Sequence, residues 1–230
     1  MSTDLRELVA KATARSSSAA AKVLRLIDAE PTTSAPPEQW GLDAMRGRLV
    51  ELSARGATAT LTTAAELVLE AQRAEDPVAW VVPWSLDQRT STFYPPDLMD
   101  QGIDLSALVV VRAPSVIASA RAVERLLRSG AFGLVVVDFA GVDMESKRLP
   151  DHLLGRMVSL AQAHDTAVVC LTDKTPETSS LGSLVSLRAE AMRLREPPAS
   201  EFEIRLRALK DKRHGPGWSK RSKARGPAGL

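Results

Sequence analysis

The sequence predicts an α/β layered fold with a mainly parallel central sheet, and three observations carry that prediction. From Trp40 onward, short apolar runs alternate with segments of helical periodicity. Runs such as LVVV and VVV are apolar at successive positions, as expected of strands covered by helices on both faces. Near the end, SLVSLRAEAMRLRE and SEFEIRLRALK alternate more nearly two by two, the pattern of antiparallel strands added to such a sheet.

In chain order, residues 1–30 read as an N-terminal helical arm. Leu5, Leu8, Val9 and Ala12, then Val23, Leu24, Leu26 and Ile27, keep helical spacing on either side of three serines. Residues 31–39 read as a linker, because PTTSAPPEQW carries three prolines in ten residues. The core is placed at 40–213. In it RLVELS is a strand, TLTTAAELVLEAQRA a helix, VAWVV and LSALVVVRA strands, and SVIASARAVERLLRSG a helix with a glycine stop. GLVVVDF, LPDHLLGRMVSLAQAHD and TAVVCLTD continue as strand, helix and strand, and the short PPAS connects the last two strands as a hairpin. Residues 214–230, rich in Gly, Pro and charge, are expected to form a flexible basic tail.

The chain has 230 residues, 44% hydrophobic and 25% charged, enough for one sizeable domain with appendages. Its single Cys170 lies in the apolar run AVVCL, which excludes a disulfide framework and makes the thiol a small buried hydrophobe. The N-terminus has no basic region followed by an apolar run, and no apolar segment approaches the roughly 18 residues of a membrane span. A cytoplasmic location is expected. The formal net charge of +2 is unevenly spread: from Arg205 onward nine Lys/Arg face one acid, Asp211, leaving the rest net acidic by six. That end is expected to meet phosphate or an acidic protein surface.

The stretch from Gly47 to Gln72, GRLVELSARGATATLTTAAELVLEAQ, has the outline of a phosphate-binding unit: buried strand, short polar loop, helix. Such a unit needs glycines that let the backbone curl around phosphates, a Lys that reaches the β and γ oxygens, and a Ser/Thr hydroxyl on the metal. None of these is in place. The order of GRLVEL, AAELVLEAQ, ARAVERLLRSGAFGLVVVDF, TPETSS and RLRALKDKRHGPGW nevertheless resembles the RecA recombinase core over roughly Gly41 to Arg213. Within that superfamily it looks most like the ImuA family of bacterial mutagenesis cassettes. The resemblance implies a RecA-like core. Laid on the chain without gaps, the family loop pattern G-x-x-x-x-G-K-T puts its two glycines at Ala54 and Ala59, its Lys at Thr60 and its Thr at Leu61. The carboxylate that orients the attacking water falls at Trp84. Asp138 matches the metal-supporting acid and is expected to hold a loop or a helix start by hydrogen bonding instead. A helix N-terminus with Thr58, Thr60, Thr62 and Thr63 nearby is left as a weak anion site at most.

Other constellations carry less. His152, His164 and His214 lack the i, i+3 or i, i+4 companions of a metal site and are expected at the surface or at caps. No G-x-S-x-G turn for a hydrolytic nucleophile is present. Trp40, Trp80, Trp84 and Trp218 are expected to pack, with Trp218, flanked by cations, placed to stack on a base or fill a partner's pocket.

The resemblance thus implies a non-catalytic adaptor, without cofactor or metal, in SOS-induced DNA repair and translesion synthesis. Its implied partners are an ImuB-type polymerase-like protein, RecA, and an error-prone C-family polymerase. The alternatives are a SulA-like SOS inhibitor of cell division and, against the four loop substitutions, an ATP-dependent recombinase. The two loops that contact single-stranded DNA in RecA correspond to AGVDMESKR and TDKTPETSSLGS, with only Lys147, Arg148 and Lys174 as cations. Partner or weak nonspecific DNA binding is therefore expected at Lys210, Lys212, Arg213, Trp218, Lys220, Arg221, Lys223 and Arg225.

Overall fold

The computed structural model describes residues 39–83, 93–144, 147–194 and 201–225, Arg225 by its backbone only. The expected arm, all of the linker but Gln39, Trp84 and the PPAS connection lie outside the described residues.

The apolar runs become the strands β1 (Leu49–Ser53), β2 (Val78–Pro83), β3 (Leu108–Ala113), β4 (Leu134–Phe139) and β5 (Ala167–Thr172). The segments of helical period become α2 (Thr60–Arg73), α4 (Val116–Arg128) and α5 (Asp151–Ala163), joined by two short helices, α1 (Leu42–Met45) and α3 (Pro95–Asp100). The carboxyl-terminal strands are β6 (Leu187–Leu194), β7 (Glu201–Asp211) and β8 (Ser219–Arg225). All eight strands form one mixed sheet in the order β3-β2-β4-β5-β1-β6-β7-β8. Pairing is parallel from β3 through β6 and antiparallel for β6-β7 and β7-β8. β6 and β7, read as antiparallel strands extending the sheet, pair antiparallel with each other, and β6 joins the parallel part by lying parallel to β1.

Alternate residues of each central strand supply two cores. Val50, Leu52, Trp80, Val136 and Val169 point to the side covered by α2, while Leu49, Ala79, Val81, Val137 and Cys170 point to α4 and α5. Burying each such Val or Leu contributes about 1.5–3 kcal/mol, which explains why the central runs carry no polar face. The LVVV run of β3 departs from this rule, because β3 is a sheet edge and its Val109 and Val110 are exposed. α4 begins where Ser115 Oγ accepts the Ala118 N–H at 3.1 Å and ends at Gly130, whose φ of 67° only glycine adopts freely.

The expected flexible tail is corrected by β8. Its sequence, SKRSKAR, has no apolar face, but the β7 edge offers unpaired N–H and C=O groups that Ser219–Arg225 saturates along seven register pairs. The turn into β8 is built around Asp211 at the end of β7. Its Oδ1 accepts from Arg48 Nη2 at 2.6 Å and from the Arg213 N–H at 2.9 Å, and its Oδ2 from Trp218 Nε1 at 3.0 Å. Burial alone would push this carboxyl up, but the Arg213 N–H, the Arg48 guanidinium and the Trp218 indole outweigh it and hold the pKa at about 2. Among the described residues, no helix is long and apolar enough to cross a membrane.

A pKa lowered from 3.8 to about 2 means that the folded state binds this proton less tightly than the unfolded chain. The stabilisation is therefore complete above about pH 4 and lost as pH falls through about 2. Asp211→Asn is expected to cost roughly 2–3 kcal/mol near neutral pH, with the gap to wild type closing toward acid in urea titrations at stepped pH. A gap independent of pH would show that the charge is not what holds the turn.

Candidate functional site

Three loops meet at the carboxyl end of the parallel strands, where ligands of open α/β sheets bind. The first, residues 54–59, joins β1 to α2 and is the phosphate-loop outline read in the sequence. Its backbone is engaged by the protein itself. The Ala59 N–H donates to Ala191 O at 2.9 Å and the Arg193 N–H donates to Ala57 O at 2.8 Å, so that Thr58 bridges Met192 of β6 as a stub of antiparallel strand. The Thr58 N–H turns back to Gly56 O at 2.8 Å, and the Thr60 N–H donates to Thr58 Oγ1 at 3.2 Å. The Thr58 and Thr60 hydroxyls lie 3.0 Å apart, and Thr63 Oγ1 donates to Ala59 O at 2.8 Å. Ala59, at a glycine position of the family pattern, has an ordinary φ of −122°. The donors at Ala59 and Thr60 that would face an anion are thus spent, and the only cation of the loop, Arg55, donates to Asp173 O at 3.1 Å. Of the weak anion site expected at these threonines, the N–H groups of Thr58 and Thr60 are engaged by the protein itself.

Asp138 behaves as a loop holder, its Oδ1 accepting the Ala140 N–H at 3.0 Å. Asp173, across the end of the sheet, accepts the Gly141 N–H at 2.6 Å. Below them lies a fully buried carboxylate that the sequence reading passed over. Glu51, in the middle of β1, accepts from Thr172 Oγ1 at 3.1 Å and from the Leu181 N–H at 2.8 Å, and Lys174 Nζ lies 3.2 Å away. Arg188 on neighbouring β6 completes the cluster, with Nε 3.9 Å from Glu51 and hydrogen bonds to Ser53 Oγ and to the carbonyls of Thr175 and Thr178. This cluster pins the loop after β5, residues 173–181, to the sheet. It also corrects the count of available cations: Lys174 is 5% exposed and serves Glu51 and the Ser179 carbonyl. Lys147 and Arg148 remain exposed. The one signal for the cluster was a glutamate inside the apolar run LVELS.

The basic end is divided between the two faces of the sheet. Phe202, Ile204 and Leu206 of β7 enter the α2-side core, and their register partners Ala224, Ser222 and Lys220 share that face. Lys220 there acts on the Glu66 carboxyl of α2. The opposite face presents Arg205 and Arg207 of β7 together with Arg221 and Lys223 of β8. Arg205 lies directly opposite Arg221, a like-charge pair that costs stability unless an anion lies over it. Three carboxylates moderate this face: Glu190 to Arg207 at 2.9 Å, Glu203 to Arg221 at 3.1 Å, and Glu201, whose register partner is Arg225. Arg225 continues the strand by its backbone. The spacing of RLR in β7 was the missed signal for Arg205 and Arg207, since residues two apart in a strand share a face.

The remaining residues expected here play local parts. Lys210 and Lys212 both donate to Ser183 O, at 3.3 and 2.8 Å, and the Lys210 ammonium is held below its ordinary range by burial and by Lys212. Arg213 donates to the carbonyls of Ala44 and Arg46, each at 3.4 Å. Trp218 is not poised for a base: its indole is bonded to Asp211 and its ring lies 6.5 Å from that of Trp40. His164 caps α5, and His214 Nδ1 lies 3.2 Å from Asp211 Oδ2. Burial pushes the Cys170 thiol far up, in keeping with an inert core residue. Among the described residues no group of His, Cys, Asp and Glu is arranged to hold a metal ion. Neither protein-family models nor curated proteins give a match to this chain.

Two outcomes follow from this geometry. Isothermal titration with ATP and Mg²⁺ is expected to show no binding, and Thr60→Lys is expected not to restore it, because Thr60 is buried and the N–H groups of Thr58, Ala59 and Thr60 are already bonded; heat at micromolar nucleotide would overturn this. Single-stranded DNA should bind weakly and without sequence preference, log K falling with log salt by about 0.7 per phosphate neutralised. Cutting the chain after Leu209 would remove Asp211 and β8, so the informative variant is Arg221→Glu with Lys223→Glu. Fluorescence anisotropy at two ionic strengths should then show weaker binding with a shallower slope, and unchanged binding would place the contact elsewhere.

Proposed function

We propose that this chain is a non-catalytic, RecA-like adaptor in SOS-induced DNA repair and translesion synthesis. The observation that carries the reading is the loop strapped to β6: the place where a nucleotide-cycling relative exposes backbone donors is closed by the protein's own strand. A core that does not cycle with nucleotide offers its surfaces as a constant dock, since a ligand shifts an equilibrium only through differential affinity for two states. The sequence resemblance to the ImuA family supplies the partners: an ImuB-type polymerase-like protein, RecA, and through them an error-prone C-family polymerase. The Arg205–Arg221 face supports a supplementary role, holding a polyanion through phosphates without base readout.

The test is a pull-down of the full chain against an ImuB-type protein, RecA and a tubulin-like division protein, each with and without ATP. Capture of the first two, unaffected by ATP, is the expected result. Capture of the division protein alone would replace the adaptor with a SulA-like inhibitor, and ATP-dependent capture would refute the constant dock.

A further inference from the structure

On the α2 side of the sheet, a cleft of about 600 Å³ opens between α2, α3 and the ends of β6–β8, a size that accommodates a side chain or small ligand. Its floor is aromatic. Trp80 is fully buried, its ring 5.4 Å from that of Phe93, and its indole N–H has no acceptor among the described residues. Tyr94, 60% exposed, stands at the mouth, with Phe202 on the far wall. Glu66 of α2 and Asp97 and Asp100 of α3 line the same cleft. Among the described residues the one cation in the lining is Arg193, its guanidinium 4.2 Å from the centroid of the Phe202 ring.

Aromatic faces and carboxylates both favour a cation, the first through the ring quadrupole and the second through charge. Phosphate is disfavoured on the same grounds: among the described lining residues three carboxylates face one guanidinium, and with Lys220 acting on Glu66 the carboxylates of Asp97 and Asp100 remain. We propose that this cleft docks a Lys- or Arg-bearing segment of a partner protein. The aliphatic stem of such a side chain lies along Leu69 and the aromatic walls while its charged head meets Asp97 and Asp100. The apolar part of the lining, Leu61, Leu69 and Leu98, also matches the uncharged side chains that flank a Lys or Arg in a polypeptide and that a polyamine lacks. The inference takes only the existence of a protein partner from the adaptor reading.

The full chain is titrated against a fluorescein-labelled peptide with an Arg-Leu-Arg centre between Gly and Ser residues, and against its Glu-Leu-Glu counterpart. The Arg peptide should bind and the Glu peptide should not. Asp97→Lys with Asp100→Lys should weaken binding by at least about tenfold with the melting temperature retained. Tyr94→Ala, at an exposed position, should weaken it as well and carries the test if the double variant fails to fold. Absence of Arg-peptide binding, equal binding by both variants, displacement by ATP, or spermidine binding as tightly as the peptide would each overturn the proposal. A second copy of the chain as occupant would appear as self-association that the double variant abolishes, and would overturn it too. No polymerase or RecA enters this assay, so failure of the adaptor reading leaves its outcome intact.

Discussion

A carboxylate taken out of water must be met by donors, and two such carboxylates organise this protein. Removing one partner of a buried ion pair costs about 3–5 kcal/mol, because the other charge is left in a medium that cannot solvate it. Asp211 therefore couples elements far apart in sequence: Arg48 before β1, the turn after β7 and the indole that rests against Trp40. Glu51 does the same two strands inward, joining β1, β5, β6 and the loop of residues 173–181. Both sit where the parallel half of the sheet passes into the antiparallel half. The junction is thus held by charge as well as by backbone pairing.

That junction also accounts for the changed loop. In an anion-binding turn, backbone N–H groups converge on open space at a helix N-terminus. Here β6 runs far enough to pair its own end with Ala57 and Ala59, turning the loop into a short extra strand. Alanine at position 59 suits this use, since an extended neighbour asks for no positive φ there. With the N–H groups of Thr58, Ala59 and Thr60 engaged, a Lys or a Mg²⁺ ligand introduced by substitution would meet a backbone that has already committed these donors.

Much of the architecture was legible in the sequence, because it follows from periodicity. Strands β1 to β5 and helices α2, α4 and α5 lie where uninterrupted apolar runs and helical spacing put them, and Ser115 and Gly130 mark the limits of α4. What escaped depends on contacts rather than pattern. β8 is made of Ser, Lys, Arg and Ala, and only the unsatisfied edge of β7 makes it a strand. Asp211 looked like the lone counter-ion of a basic tail until the fold brought Arg48 to it. The aromatic cleft draws on β2, α2, α3, β6, β7 and β8, and no window of sequence contains two opposite walls. A charge inside an apolar strand, as at Glu51, was the signal available for the buried network.

The placement of Cys170 has a use beyond packing. It lies in β5, between β4 and β1, with no exposed surface. A thiol there reaches an alkylating reagent only when the middle of the sheet comes apart, because neighbouring loops can fray without uncovering it. The rate at which the native protein consumes such a reagent is consequently a clock for opening of the central strands. With one cysteine in the chain, a thiol-selective reagent reports on Cys170 with no interference from another thiol.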